Sequence, residues 1–269
     1  PDDPEAYAMR GFLRLDAGEN HRSTFDFDEA IRLDPKHLPA YVGRARAWRK
    51  MKLYDRALAD AEEVLRLEPA AARGYVERGA AYEARGEWSR AVSDYNEVLR
   101  LDPGRAAVYQ KRAWLRASCP APGIRNAELA VADARRACEL TDWKDPTALE
   151  SLAAAEAESG RFAEAIASVD RALADAEYAK SPDGDGARDR RKIYEEGKAY
   201  RLGAAAEVPG EEDDPERTKR LISEVVGTGL IALVVSGLVA FRLRRFGVWP
   251  FARRVPPAVA DDPPTPPGP

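Results

Sequence analysis

The chain has 269 residues, 45% apolar and 33% charged, with 42 Lys plus Arg against 46 Asp plus Glu and a net charge of −4. This near balance gives no global basic field, which argues against nucleic acid as a ligand. Two cysteines and two histidines exclude a disulfide-built scaffold and nearly exclude a histidine-based metal or catalytic site.

A period of 34 residues runs through the first part of the chain. Blocks of Arg, Leu, an acidic residue and Pro recur at residues 32–35, 66–69 and 100–103. Aromatic, basic and small-residue columns keep the same step, at Tyr7, Tyr41, Tyr75 and Tyr109, at Arg10, Arg44, Arg78 and Arg112, and at Gly11, Ala45, Gly79 and Ala113. Pro1 fits the proline column, so we expect the sequence to continue upstream of it.

The third copy carries the most complete motif, in the order aromatic, small, aromatic, Gly turn, Ala, aromatic and Pro at Tyr75, Gly79, Tyr82, Gly86, Ala91, Tyr95 and Pro103. This order resembles the tetratricopeptide repeat (TPR), in which each repeat is a pair of helices, A and B. The later stretch 114–177 resembles the end of a bacterial TPR subtype. The resemblance implies an all-α, right-handed TPR α-solenoid over residues 1–177, with repeats at about 4–37, 38–71, 72–105, 106–145 and 146–179.

One comparison between repeats predicts a structural ion pair. Four A-helix arginines have an aspartate in a matching slot of the B helix: Arg10 and Asp26, Arg44 and Asp60, Arg78 and Asp94, Arg112 and Asp133. In the fifth copy Leu152 and Ser168 take these slots, so both charges are lost together. A buried guanidinium without its partner is costly, which favours a pair that bridges the two helices. The alternative is a row of arginines that binds an acidic ligand.

The composition changes after the repeats. A turn-rich break at 181–186 precedes a polar segment, 188–202, which we expect to form a helix that caps the solenoid within residues 178–205. Residues 206–220 form a charged linker with Pro209, Gly210 and Pro215. The last residues, 242–269, are first basic and then proline-rich, which predicts a disordered tail.

Residues 221–241 form an apolar run whose only charge is Glu224. As a helix, 21 residues span about 31 Å, which matches the hydrocarbon thickness of a bilayer. Basic residues flank the run on both sides, and Trp249 and Phe251 follow it. The run therefore predicts a single transmembrane helix and a single-pass membrane protein, with the side that carries the repeats left open. The rival interpretation is a buried helix of the solenoid.

No catalytic motif is found in the sequence: the nucleophile elbow, the phosphate-binding loop and the His-Glu-x-x-His motif are all missing. Cys119 and Cys138 flank the long turn of the fourth repeat, as free thiols or as a disulfide. We therefore predict a protein that is not an enzyme, has no cofactor or metal and takes no small-molecule substrate.

The family resemblance implies a concave groove, lined by the A helices, that binds a peptide or a helix of a partner protein. Carried onto this chain, the groove positions are Phe12, Arg46, Lys50, Arg73, Gln110, Lys111 and Trp114. This mixture suits an extended segment with acidic and apolar side chains. The predicted function is a membrane-anchored scaffold or adaptor. The alternatives are the regulatory C-terminal part of a larger enzyme, with its catalytic domain upstream of residue 1, and a structural role in a membrane assembly.

Overall fold

The computed structural model describes residues 3–203, which form eleven α-helices and no β-strand. Consecutive helices contact each other in five pairs, each an A helix followed by a B helix. The helices are α1 (Pro4–Asp16), α2 (Asn20–Leu33), α3 (Leu38–Lys50), α4 (Tyr54–Leu67), α5 (Ala72–Arg85), α6 (Trp88–Leu101), α7 (Ala106–Ser118), α8 (Ala127–Leu140), α9 (Pro146–Glu158), α10 (Phe162–Ala172) and α11 (Pro182–Glu195).

The turn between the A and B helices depends on one left-handed residue. Gly18, Gly86 and Gly160 have φ values of +79°, +83° and +76° at this position. Lys52 occupies the same place in the second pair with φ +61°. A residue with a side chain loses roughly 1–2 kcal/mol of stability in this left-handed conformation, whereas glycine does not. The second pair therefore folds with local backbone strain that the glycine turns of the first, third and fifth pairs avoid.

Close contact between helices explains the small-residue columns. The Phe27 ring on α2 is fully buried, and a Cβ atom added at Gly43 on α3 would come within 2.3 Å of it. A Cβ at Gly11 on α1 would lie 2.7 Å from the same ring. The two glycines therefore make room for one aromatic side chain between the first and second pairs.

The fourth and fifth pairs share the largest apolar cluster of the described residues. Helix α9 lies in its middle, and every residue from 148 to 157 is buried. Half of these residues are alanine, which lets α7, α8 and α10 approach α9 closely. The long turn predicted between α7 and α8 is present and contains a short 3-10 helix at Pro122–Ile124.

The helix after the fifth pair differs from the prediction. It begins at Pro182 and ends at Glu195, whereas the sequence predicts a break at 181–186 and a helix at 188–202. The break residues form the first turn of α11, because the Ser181 side chain caps it by accepting a hydrogen bond from the Gly184 N–H. Helix α11 ends before Gly197, which has φ +69°. Residues 198–203 then follow without regular helix.

The prediction of a single-pass membrane protein is contradicted by the helices that the structure describes. None of those in residues 3–203 is long and apolar enough to cross a bilayer. Each has at most 14 residues, about 21 Å, whereas a span needs about 20 apolar residues. The run at 221–241 lies outside the described residues, as do the predicted linker at 206–220 and tail at 242–269.

We expect the Lys52→Gly substitution to raise the free energy of unfolding by about 1 kcal/mol, because it relieves the left-handed backbone. Gly86→Lys, at the same position one repeat later, should lower it by a similar amount. Chemical denaturation followed by circular dichroism measures both. Gly123→Ala is the control, since no heavy atom lies within 4 Å of the added Cβ. A neutral effect of both exchanges would show that the turns carry no strain.

We also expect both cysteines to be unreactive in the folded protein. Cys119 and Cys138 are fully buried free thiols. Burial raises the pKa of both, that of Cys138 to about 11. At pH 8 only about one Cys138 thiol in a thousand is then ionised. A chromogenic disulfide reagent should therefore release no product from native protein and two equivalents after denaturation. Fewer than two equivalents without a reductant would indicate a disulfide.

Candidate protein-binding surface

Each of the first four helix pairs contains a Tyr–Arg–Asp cluster. The arginine on the A helix forms an ion pair with the B-helix aspartate, at 2.6 Å for Arg10–Asp26, 2.6 Å for Arg44–Asp60, 2.8 Å for Arg78–Asp94 and 2.6 Å for Arg112–Asp133. Each guanidinium also lies 5.2 to 5.6 Å from the ring centre of the tyrosine three residues before it. The predicted pairs are thus all within ion-pair distance.

The aspartates of these clusters are nearly inaccessible to water, with side-chain exposures of 3 to 8%. In the first and fourth pairs a second arginine, Arg14 or Arg116, contacts the same carboxylate at 2.8 and 2.5 Å. A buried carboxylate is tolerated only when its charge and its lone pairs are satisfied. These arginines therefore satisfy the buried carboxylates of their own repeats.

The fifth pair uses a neutral arrangement in the same slots. Leu152 is buried in the apolar cluster, and the Ser168 hydroxyl donates to the Glu156 carboxylate at 2.8 Å. Burial raises the pKa of Glu156, and the serine hydrogen bond partly opposes that rise. The loss of Arg and Asp in the sequence therefore corresponds to a different way of joining the two helices.

The predicted groove lies on the A helices, where α1 contacts α3, α3 contacts α5, and α7 contacts α9. We call this wall the A-helix surface. A column along its middle keeps the 34-residue step and consists of Phe12, Arg46, Ala80 and Trp114. Phe12 is half-buried and packs edge-on against Phe27, with ring centres 5.1 Å apart.

Arg46 is held by a buried carboxylate of the next A helix. Its guanidinium donates two hydrogen bonds to Glu77 on α5, at 2.7 and 3.1 Å. Arg49 lies 3.7 Å from the other Glu77 oxygen. Glu77 is only 3% exposed, so two cations surround one buried anion. Glu77 was not predicted from the sequence. It is an acidic residue in the 34-residue column that also contains Gly43 and Lys111, and this difference in charge is the signal that could have identified it.

Three other predicted groove residues also join neighbouring repeats. Lys50 donates to the Leu15 carbonyl of α1 at 3.2 Å, Lys111 lies 3.5 Å from Glu83 of α5, and Gln110 donates to Asp145 at the start of α9. Arg73 is partly exposed at the beginning of α5. The polar side chains of the A-helix surface thus stabilise the stacking of repeats as well as lining the wall.

Trp114 is covered by residues from the C-terminal end of the described chain. The Tyr200 ring centre lies 5.7 Å from that of Trp114, and the Arg190 guanidinium lies 5.3 Å from Trp114 and 5.7 Å from Tyr200. Arg190 on α11 is anchored by Glu150 of α9 at 2.5 Å. Residues 198–203, which we call the fold-back segment, therefore lie on the A-helix surface at α7.

The fold-back segment also completes the C-terminal end of α7, where the last carbonyls of a helix lack partners within it. The Leu202 N–H donates to the Ser118 carbonyl at 2.7 Å, and the Arg201 guanidinium lies 3.4 Å from the Ala117 carbonyl. Arg201 also forms a 2.6 Å ion pair with Glu158 of α9, which Arg125 contacts at 3.1 Å. The sequence analysis placed residues up to 202 in a helix and so missed this contact.

The A-helix surface therefore has two parts. Over α7 and α9 it is covered by Arg190 and the fold-back segment, and over α1, α3 and α5 the described residues leave it open. Among residues 3–203 no group of three or more His, Cys, Asp or Glu side chains is placed to hold a metal ion. The arrangement offers recognition by charge and shape.

Comparison with known proteins gives the class of the fold. The family model of the tetratricopeptide repeat matches residues 72–105, which contain α5 and α6. No curated protein matches the sequence. The match covers one repeat, and together with the repeated helix pairs it supports an all-α solenoid of the TPR type over the described residues.

Solved structures share this fold at low sequence identity. The thermophilic TPR protein TTC0263 of Thermus thermophilus has a TM-score of 0.57 at 22% identity, over 71% of this chain and 98% of its own. YrrB, a TPR protein with an unusual peptide-binding site, has a TM-score of 0.51 at 17% identity, over 71% and 93%. The Cut9–Hcn1 assembly of the APC/C has a TM-score of 0.62 at 14% identity, over 72% and 36%.

The contribution of the Arg–Asp pairs to stability can be tested with substitutions that copy the residues of the fifth repeat. We expect Arg78→Leu to lower the free energy of unfolding by about 3–5 kcal/mol, because Asp94 stays buried without its partner. The double substitution Arg78→Leu/Asp94→Ser, which copies Leu152 and Ser168, should recover more than half of this loss. Thermal and urea denaturation measure the difference.

Arg66→Leu is the matched control for this comparison. Its partner Glu63 lies on the same helix and the Arg66 side chain is 68% exposed, so a change within about 0.5 kcal/mol is expected. If the double variant proved no more stable than Arg78→Leu, the uncompensated carboxylate would not be the source of the loss.

Proposed function

We propose that this protein is a protein–protein interaction scaffold that holds an extended segment of a partner on the open part of its A-helix surface, over α1, α3 and α5. The observation that carries the proposal is the uneven occupation of this surface. The chain's own residues cover α7 and α9, while Arg46, Lys50 and Arg73 remain at least partly exposed on α3 and α5. YrrB, a protein of similar fold with an unusual peptide-binding site, supports the same use.

The charges of the open part favour an acidic segment. Arg46 and Arg49 both lie within ion-pair distance of one buried carboxylate, Glu77, so these three side chains carry a net positive charge. Lys50 at the end of α3 and Arg73 at the beginning of α5 add two further cations. We infer a partner segment that alternates carboxylates with apolar side chains, the latter packing beside Phe12 and Ala80.

The fixed geometry of the wall supports binding without large rearrangement. Arg46 is already oriented by Glu77, and Lys50 is tied to the end of α1, so neither side chain must be ordered by the ligand. Preorganised groups lose less conformational entropy on binding than free side chains do. No catalytic step is needed for this function, which consists of holding two proteins together.

Selection from a peptide-display library on the full chain tests the proposal. The enriched sequences should be rich in Asp and Glu and should bind the wild-type chain at least tenfold more tightly than the Lys50→Glu/Arg73→Glu variant. Arg46 is left unchanged because its loss would expose the buried Glu77 charge. Fluorescence anisotropy with the selected peptides gives the dissociation constants.

Arg100→Glu is the control variant, since Arg100 is 67% exposed on the B helix α6. It should bind the selected peptides as tightly as wild type. Peptides that depend on Arg100 and ignore Lys50 and Arg73 would place recognition on the B helices and contradict the proposal.

A further inference from the structure

The covered part of the A-helix surface is filled by an element that is weakly attached. The fold-back segment has no regular helix, and Leu202 makes its one backbone hydrogen bond to α7. Gly197 precedes the segment and Gly203 ends it, both with φ +69°. Left-handed glycines are common points of backbone reorientation. The segment can therefore leave the surface without changing any of the eleven helices.

Its contacts are those of an extended ligand in a groove. Three consecutive residues each use a different feature of the wall: the Tyr200 ring lies against Trp114 and Arg190, Arg201 pairs with Glu158, and Leu202 packs against the apolar cluster that includes Val108 and Leu115. Main-chain bonding combined with alternating side-chain contacts is how extended peptides are recognised.

Removing the segment would leave few groups unsatisfied. The Ala117 and Ser118 carbonyls would bind water at the end of α7, and Glu158 would keep Arg125. Arg190 would keep Glu150 and its contact with Trp114. The wall at α7 and α9 is thus built from contacts that do not require the fold-back segment, and it stays formed when the segment is absent.

We propose that the α7–α9 part of the A-helix surface is a second recognition site, specific for an extended segment with the order aromatic, basic, aliphatic, and that Tyr200, Arg201 and Leu202 occupy it as an internal ligand. A partner segment with this order displaces the fold-back segment. The inference rests on the proposed scaffold function but concerns a different part of the surface and the opposite charge preference, because the site presents Glu158 and the Ala117 carbonyl at the end of α7 to a cation.

A peptide with the chain's own sequence, residues 197–203, is the probe. The full-length variant Tyr200→Ala/Arg201→Ala/Leu202→Ser opens the site. We expect a fluorescent peptide to bind this variant at least tenfold more tightly than the wild type, whose own segment competes. Lys192→Glu, on the exposed side of α11, is the control and should behave as wild type. Equal binding to the opened and wild-type chains, or no binding to the opened chain, would overturn the proposal.

Charge reversal identifies where the peptide binds. A peptide with Glu in place of the residue-201 arginine should bind the opened chain at least tenfold more weakly. The additional substitution Glu158→Arg should restore its binding, although Arg125 then needs a new partner. Circular dichroism verifies that each variant is folded. Absence of this rescue in a folded variant would show that the peptide lies elsewhere.

Hydrogen exchange of the unmodified chain gives an independent reading. The Leu202 amide should exchange through a local opening whose rate is unchanged by low urea, while the amides of α9 exchange only through larger unfolding. If the Leu202 amide exchanged at the same rate as the α9 amides, the fold-back segment would be a fixed part of the fold, which contradicts the proposal. If peptide 197–203 did not bind while the acidic library peptides bound normally, only the internal-ligand proposal would be rejected. The reverse result would reject the proposed function on α1, α3 and α5.

Discussion

The ion pair between an A-helix arginine and a B-helix aspartate is the interaction on which the rest of the array depends. It recurs in four consecutive pairs with nearly the same distance, and the carboxylate is buried each time. Such a pair gains little over an apolar one, but losing either partner is severe. The ion pair therefore helps to orient the A helix on its B helix in the first four pairs, which include the helices that carry Arg46 and Trp114.

Regularity in the sequence decided how much of the structure could be predicted from it. The columns of Tyr, Arg, small residues and Pro follow from contacts inside a repeat or between adjacent repeats, and through the TPR resemblance that they carry they predict the helix pairs. The joint loss of Arg and Asp in the fifth copy correctly indicated that these residues belong together in space. Both inferences use contacts of short sequence separation, which leave a repeating pattern.

The parts that failed have no such pattern. Glycines 184 and 186 look like a break, and only the cap made by Ser181 shows that a helix begins there. The contact of Tyr200 with Trp114 joins distant parts of the chain, and no period connects them. The contacts of Lys50 and Gln110 with neighbouring repeats could not be predicted for a similar reason, because the sequence of a helix does not indicate what its polar surface residues contact. The membrane location was inferred from residues outside the described range, and no helix within that range fits it.

The A-helix surface combines two opposite chemical preferences on one rigid support. In the proposed function the arginines and the lysine of α3 and α5 favour carboxylates, whereas the proposed site over α7 and α9 presents Glu158 and the Ala117 carbonyl to a cation. Because stacked repeats contact only their neighbours, the two parts are fixed relative to each other through α5 and α7 yet are chemically independent. A scaffold built in this way can hold two segments in a defined order.

The order of the contacts along the chain has a consequence for synthesis. The Arg–Asp pairs close loops of 16 or 21 residues, whereas Arg201 reaches a carbonyl 84 residues earlier. Short loops close at small entropic cost, so each helix pair can form soon after it leaves the ribosome. The wall at α7 and α9 can then form before the fold-back segment has left the ribosome. For that interval a newly made chain presents an unoccupied site, and a partner present at that time meets no internal competitor.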